Sequence, residues 1–318
     1  MITEELSQEE WTGLCKRINF ETVFGQADFL EVYCKVYNVM PRFFVVKEHR
    51  TPRAALACFS TSGSIVLPTH YFFNPVWLDK NQGEIILNRA LQILLTYLKK
   101  SFTRISLRLP VEVEDIRPFY WQGFEGKTAY TYLKNLQNLS YHLNINRILK
   151  KQCPYTFKID LWSSSLEEFH KRDLISFGFR KRTIYRVFQS FKQLHEQGKM
   201  LIVNAYEGSN LVGSDVLLLD LNERKAYMFF ISKSHGHYKG GLHAYLYNFI
   251  FSYLGNEGYK EIDMFGADYE SISIYKSKFN PRLIHYYEVK YSKVPYLLDT
   301  GKKKIKLFLS RILQVLTS

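Results

Sequence analysis

Between residues 200 and 291 the hydrophobic pattern changes period in an order that few folds accommodate. Three strand-like runs come first, at 200–206 (MLIVNAY), 211–220 (LVGSDVLLLD) and 226–231 (AYMFFI). Turn residues at Asn210 and at 222–225 separate them. Gly236-His237-Tyr238-Lys239-Gly240-Gly241 then runs into an apolar helical stretch, 242–254, which Gly258 helps to stop. A buried strand at 261–265 leads to Gly266-Ala267-Asp268, a short helix at 271–278 and an aromatic strand at 283–291. Helices segregated on a mixed, mostly antiparallel sheet are the simplest packing for that order.

The N-terminal part runs through a similar order with little residue identity. A helix at 19–37 places Phe29, Val32, Tyr33 and Val36 at helical spacing, and Pro41 breaks it. Strands at 43–46, 54–59 and 65–67 follow, with turns at Thr51-Pro52 and Ser62-Gly63-Ser64. After an aromatic loop, HYFFNP at 70–75, an amphipathic helix at 84–99 offers Ile85, Ala90, Leu91, Leu94, Leu95 and Leu98 to a core. A strand at 104–109, a short helix at 112–120 and a strand at 129–133 complete the lobe. Between the lobes lie a basic helix at 143–151 and a strand at 157–161. Ser165 opens a capping box with Glu168. Two helices follow, broken by Phe177-Gly178-Phe179. At 318 residues the chain is long for one hydrophobic core and comfortable for two.

The aromatic share, 16%, provides large apolar rings for sheet packing or for a ring-lined groove. The net charge of +13 attracts anions without saying which: nucleic acid, lipid, coenzyme A and phosphorylated intermediates all fit. No run of about twenty apolar residues exists, and the acidic start lacks the apolar core of a secretory signal. Cys15, Cys34, Cys58 and Cys153 form no C-x-x-C pair and read as buried thiols of a reducing compartment. No metal-ligand spacing is present, so no metal is expected. The chain ends GKKKIKLFLSRILQVLTS; as a helix it gathers Ile305, Phe308, Leu309, Ile312, Leu313 and Leu316 on one face. That face suits docking on the body or a partner, or lying on an anionic membrane surface.

Candidate chemistry gathers at two places. A glycine pair at a helix start lets backbone amides approach a pyrophosphate, with His237 and Lys239 adding a donor or charge to Gly236, Gly240 and Gly241; a plain loop is the alternative. Beyond the strand at 261–265, Asp268 or Glu270 can take a proton from an amine, although Asp268 can equally cap the next helix. Lys276 can hold a phosphate or stabilise an oxyanion, or can be a solvated surface lysine. Arg182 and Arg186 share a helix face and offer an anion patch. Neither a nucleophile elbow nor a zinc-protease motif occurs, so positioning and polarisation are favoured over a covalent enzyme intermediate.

These residues carry a resemblance. The chain resembles the double-domain GNAT superfamily, in particular the FemAB-like acetyltransferase proteins, from about Phe20 to Tyr291. The matching landmarks are Gly240-Gly241, the helix at 242–254, Glu257-Gly258, Asp263-Met264-Phe265-Gly266, Tyr275-Lys276 and Phe279-Asn280. In the first lobe they are Leu67-Pro68, residues 71–75, Gly123-Phe124 and Thr131-Tyr132. The resemblance implies an α/β (α+β) architecture of two tandem GNAT-like domains. These are an acceptor side at 1–139 and a donor side at 140–298, followed by the basic helix at 299–318. The lysine of the family's phenylalanine-lysine position, here Lys276, is implicated in holding phosphate or supporting transfer. The family glycine after the later phenylalanine is Asn280 here, which a positive φ would accommodate. The family loop [QR]-x-x-G-x-[GA] is compressed here, and no sustained heptad arm is present.

The expected activity is therefore transfer of an acyl or aminoacyl group from a thioester or ester donor, acyl-CoA favoured, to an amine. The acceptor is a small-molecule or lipid-linked anionic amine, as on a cell-envelope precursor, held against Tyr71, Phe72, Phe73, Arg182 and Arg186. A cytoplasmic protein, peripheral on the inner membrane face through its C-terminal helix, is the expected setting. Two alternatives stay open: a non-catalytic binding or membrane-surface scaffold on a degenerate transferase fold, and an aminoacyl-tRNA-dependent peptidoglycan-type transferase.

Overall fold

The computed structural model describes residues 1–233 and 241–293. The expected glycines and cation at 236–240 and the C-terminal helix at 299–318 lie outside the described residues. The first half holds β1 (Ile2–Leu6), α1 (Gln8–Arg17), α2 (Ala27–Tyr37), β2 (Met40–Glu48), β3 (Thr51–Thr61), β4 (Ser64–Val66), β5 (Val76–Leu78), α3 (Glu84–Ser101), β6 (Arg104–Leu109), α4 (Arg117–Trp121) and β7 (Glu125–Asn135). The second holds α5 (Leu143–Leu149), β8 (Thr156–Ile159), α6 (Ser164–Ser176), α7 (Lys181–Glu196), β9 (Met200–Glu207), β10 (Asn210–Asp220), β11 (Lys225–Lys233), α8 (Leu242–Asn256), β12 (Glu261–Asp263), α9 (Glu270–Ser277) and β13 (Arg282–Ser292).

Local chemistry accounts for most boundaries. Ser7 and Glu10 form a reciprocal capping box that starts α1. The helix expected from residue 19 begins only at Ala27, because residues 23–25 form a single 3-10 turn; it stops at Asn38, whose φ is +55°. The capping side chain of α6 is Ser163, which accepts from Leu166 N, so the start expected at Ser165 moves back by two residues. Helix α3 buries Ala90, Leu91, Leu94, Leu95 and Leu98, whereas Ile85, expected inward, is exposed.

All strands join one mixed, mostly antiparallel sheet in the order β1-β2-β3-β4-β6-β13-β7-β12-β11-β10-β9-β8, with β5 beside β3. Among the described residues only β4–β6 and β11–β12 pair in parallel. The last strands of the halves change places. β13 sits between β6 and β7, and β7 sits between β13 and β12. The sheet therefore runs on without a break past residues 139–140, where the sequence suggests a boundary.

Successive side chains point to opposite faces, and the two faces have different covers. On one face Phe44, Leu56 and Leu107 pack on α3, and Val203, Leu217 and Ile262 pack on Leu246 and Ile250 of α8. On the other, Phe43, Val45, Val216 and Tyr227 meet α2 and α7 in one core shared by both halves. Much of the aromatic excess is here: Phe24, Phe29, Tyr33, Phe59 and Tyr71 form edge and tilted ring contacts at 4.8–6.1 Å. Cys15 and Cys58 are buried and Cys34 half-buried, but Cys153 is exposed, against expectation. No helix among the described residues is long and apolar enough to cross a membrane.

Candidate functional site

The sheet opens where β11 leaves β12. The two strands pair only over Lys225–Tyr227 and Glu261–Asp263, after which β11 continues for six residues alone on that side. The divergence has a local cause. The β10–β11 register passes from Val216↔Phe230 to Leu217↔Met228, skipping Phe229. Such a bulge bends and twists its strand. On the other side β12 ends in a tight turn at Phe265 (φ +47°) and Gly266 (φ +72°). The result is a notch between parallel strands, the kind of place where mixed sheets position ligands.

Lys276 of α9 reaches into this turn and is 8% exposed. Its Nζ donates to the carbonyls of Met264 and Phe265. The turn is fixed by Asp263, whose Oδ1 accepts from Phe265 N at 3.0 Å and from the Thr131 hydroxyl. Gly266 is required twice over, by its φ and because a Cβ there would meet Ile272 at 3.2 Å and Lys276 Nζ at 3.6 Å.

Around this ammonium the interior is polar and incompletely satisfied. Asp215 of β10 is fully buried, and neither carboxylate oxygen has a hydrogen-bond partner of good geometry. Burial pushes its carboxyl up to about 8, with Lys276 and the nearby Val216 amide pulling it back. Burial pushes Lys276 down to about 8, with Asp215 and Asp263 holding it up. Asp263 Oδ2 and His243 Nε2 are also buried without partners. Burial, with Lys233 and Lys276 nearby, pushes His243 down to about 3, so the imidazole is neutral. A partnerless buried polar group costs roughly 1–3 kcal/mol, so several around one lysine are an expensive arrangement.

The facing wall comes from the first half. Phe72 stacks on Phe265 at 4.1 Å and meets Phe229 edge-on at 4.7 Å, bridging the two sides of the notch. Beside it His70 (φ +61°) sits among Phe179, Phe191 and Phe229, its Nδ1 unpartnered. Burial, with Arg108 nearby, lowers it to about 4. His170 of α6 lies between Ser232 and Ser214, at 2.9 and 3.0 Å, and burial lowers it to about 3. At the other end of β11 a cavity of about 370 Å³ lies between the halves, lined by Phe24, Phe73, Trp77, Glu112, Glu223 and Tyr227.

Of the residues singled out in the sequence, Lys276 and Phe72 are brought to the notch. Lys276 is buried, which removes the surface-lysine alternative. Asp268 and Glu270 are exposed beside it. Asp268 does not cap α9, whose N-cap is Tyr269; its carboxylate accepts from Tyr130 N on β7 at 3.1 Å. Tyr71 is fully buried with its hydroxyl donating to Phe24 O, so it is a core residue. Phe73 is also buried, with one edge on the 370 Å³ cavity. Arg182 is exposed on α7, and the Arg186 guanidinium lies 5.5 Å from the Tyr37 ring. Gly241 (φ +72°) is the N-cap of α8, where a Cβ would strike Ile148 at 2.7 Å; no side chain caps that helix. Asn280 has φ +50°, a left-handed conformation that asparagine tolerates. Asp215 and His243 were missed, and Asp263 was named only as a landmark. Asp215 lies within an apolar strand pattern, and a charged residue inside LVGSDVLLLD was the available signal. Among the described residues no group of three or more His, Cys, Asp or Glu is placed to hold a metal ion.

No family model matches the chain, and no curated protein does. Solved structures do match. The crystal structure of FemX aligns with a TM-score of 0.59 at 12% identity, over 90% of this chain and 97% of that one. A tandem GNAT protein from the clavulanic acid biosynthesis pathway aligns at 0.57 and 10% identity, over 92% and 99%. The C-terminal domain of a putative lysylphosphatidylglycerol synthetase from Agrobacterium fabrum aligns at 0.55 and 10% identity, over 95% and 97%. At these identities the likeness is one of fold: a mixed α/β architecture with a mostly antiparallel, helix-flanked sheet, structurally similar to FemX and to the tandem GNAT protein.

Proposed function

We propose that this protein is an N-acyltransferase that moves an acyl or aminoacyl group from a thioester or ester donor, acyl-CoA first, onto an amine at the notch between β11 and β12. The observation that carries the reading is Lys276, a buried ammonium held at the notch by two backbone carbonyls and surrounded by partnerless polar groups. In such a transfer the amine nitrogen attacks the carbonyl carbon, the C–S or C–O bond breaks, negative charge develops first on the carbonyl oxygen and then on the leaving group, and the proton shed by the nitrogen ends on that leaving thiol or alcohol. A cation in a dry site stabilises that charge far better than one in water. Asp263, and Asp215 in its ionised form, hold Lys276 up against the pull of burial.

A coenzyme A donor fits the start of α8. No side chain caps that helix, its N-cap is a left-handed glycine, and of its first amides Ala244 N already bonds Gly241 O at 2.8 Å, which leaves those of Leu242 and His243. Unpaired amides at a helix start favour a pyrophosphate. Gly241 then serves packing against Ile148, and Gly236, His237, Lys239 and Gly240 are proposed as the remainder of the donor loop. The acceptor amine approaches from the side of Phe72, with Arg182 and Arg186 attracting its anionic part.

The test is calorimetry of the purified protein with acetyl-CoA, free CoA and a charged-tRNA mimic at two salt concentrations, followed by a transfer assay with the donor that binds. Micromolar acetyl-CoA binding, with turnover lost in Lys276→Met, is the expected result. Salt-sensitive binding of the tRNA mimic alone moves the donor to aminoacyl-tRNA. Silence from every donor sinks the transferase reading.

A further inference from the structure

The corner between α6 and α7 has a composition that water alone does not explain. Helix α6 buries Leu166, His170 and Leu174 against the body, which turns Ile175 off that stripe. Ile175 is 54% exposed, and Phe177, the C-cap, is 66% exposed. The chain contains 24 phenylalanines, and among the described residues Phe177 is the one that is strongly exposed. Gly178 (φ +80°) then turns the backbone, so the corner projects at its most apolar point.

Cations surround it. Residues 171–182, KRDLISFGFRKR, contain five cations against one carboxylate. That carboxylate, Asp173, acts on Lys233 at the end of β11. Lys171 is taken by Glu168 at 2.8 Å, and the Arg172 guanidinium lies 5.4 Å from the Phe169 ring. Arg180, Lys181 and Arg182 are exposed and make no ion pair among the described residues.

We propose that this corner is a membrane-contact surface, with Ile175 and Phe177 entering the headgroup boundary of an anionic bilayer while Arg180, Lys181 and Arg182 meet its phosphates. Charge complementarity sets the sign of the partner. The apolar part sets its class. Two side chains are far below the roughly 800 Å² per partner that a stable protein interface needs. They suffice for a lipid surface, where small apolar insertions and basic residues add. A nucleic acid would use the cations but gains little from an isoleucine beside the ring. The corner stands next to the notch, since Phe179 packs on His70 at 5.7 Å. The proposal does not depend on acyl transfer.

Flotation of the full-length protein tests it, with phosphatidylglycerol–phosphatidylcholine vesicles against phosphatidylcholine alone. The expected result is binding to the anionic vesicles, reduced on the order of tenfold by Phe177→Asp and by Arg180→Glu with Lys181→Glu. In Phe177→Trp, added fluorescence quenched by acyl-chain-brominated lipid reports insertion. Wild-type protein that stays off anionic vesicles, or variants that bind as before, overturn the proposal. So does selective loss of RNA binding, instead of vesicle binding, in the charge-reversed variant. These variants leave Lys276 untouched, so donor binding by calorimetry persists whichever way the flotation falls.

Discussion

The two halves share an order of elements and differ in what they bury. In the first half the parallel pair β4–β6 meets through Ile65 and Ile105, and both join the apolar core under α3. Asn74 and Asp79 in that half are matched, Asn74 accepting from Arg108 N at 2.9 Å and Asp79 meeting Arg53 at 2.8 Å, while Thr3 Oγ1 and His70 Nδ1 are left without partners away from that junction. In the second half the parallel pair β11–β12 opens beside Lys276, and Asp215 is left with no partner. One fold plan thus yields a closed junction and an open one. The difference teaches that the plan is indifferent to chemistry; a bulge at Phe229 and a few charged positions set the open junction apart.

The sharpest way to break this comparison is Lys276→Met, which keeps the bulk and removes the charge. Transfer should fall about a hundredfold to a thousandfold with circular dichroism unchanged; equal turnover would make the two junctions chemically alike. Next comes Leu94→Ala on the buried face of α3. Denaturant unfolding should show a loss of about 2–5 kcal/mol, while Lys276 titrates as before. Asp215→Asn has a smaller effect with a definite sign. Because Asp215 holds Lys276 up, the lysine should titrate below about 8 in the variant, and an NMR titration of its ε-carbon reads the move. If the ammonium is the working form, turnover falls as pH rises through about 8, and the fall starts earlier in the variant. The carboxyl itself is raised, so the folded state keeps a proton that the unfolded chain releases. Stability therefore declines as pH climbs from 3.8 toward about 8, and Asp215→Asn removes that slope.

How much was legible depended on how local the signal was. Strands β9 to β11 and helices α3 and α8 follow from periodicity, and the sequence shows them; the positive φ at Asn280 entered only as a condition attached to a resemblance. Strand β1 was hidden because ITEEL is mostly polar, as suits an edge strand paired only with β2. Lys276 was visible through its neighbours, but its burial was not, because the carbonyls that receive it belong to a turn eleven and twelve residues earlier. Asp215 looked like one polar break in an apolar strand. Only its place opposite Lys276 gives it meaning, and that depends on the packing of α9.

The exchanged strands also constrain how the chain can be made. Arg108 of β6 and Glu288 of β13 bond across 180 positions, and β7 is bordered on both sides by strands from the far half. During synthesis β6 and β7 emerge early with open edges, and nothing in their own half covers them. Such edges invite wrong partners, and pairing over so long a loop is slow. A nascent chain released before β13 leaves two unfinished sheets, so truncation near the C-terminus should cost the N-terminal half its solubility as well.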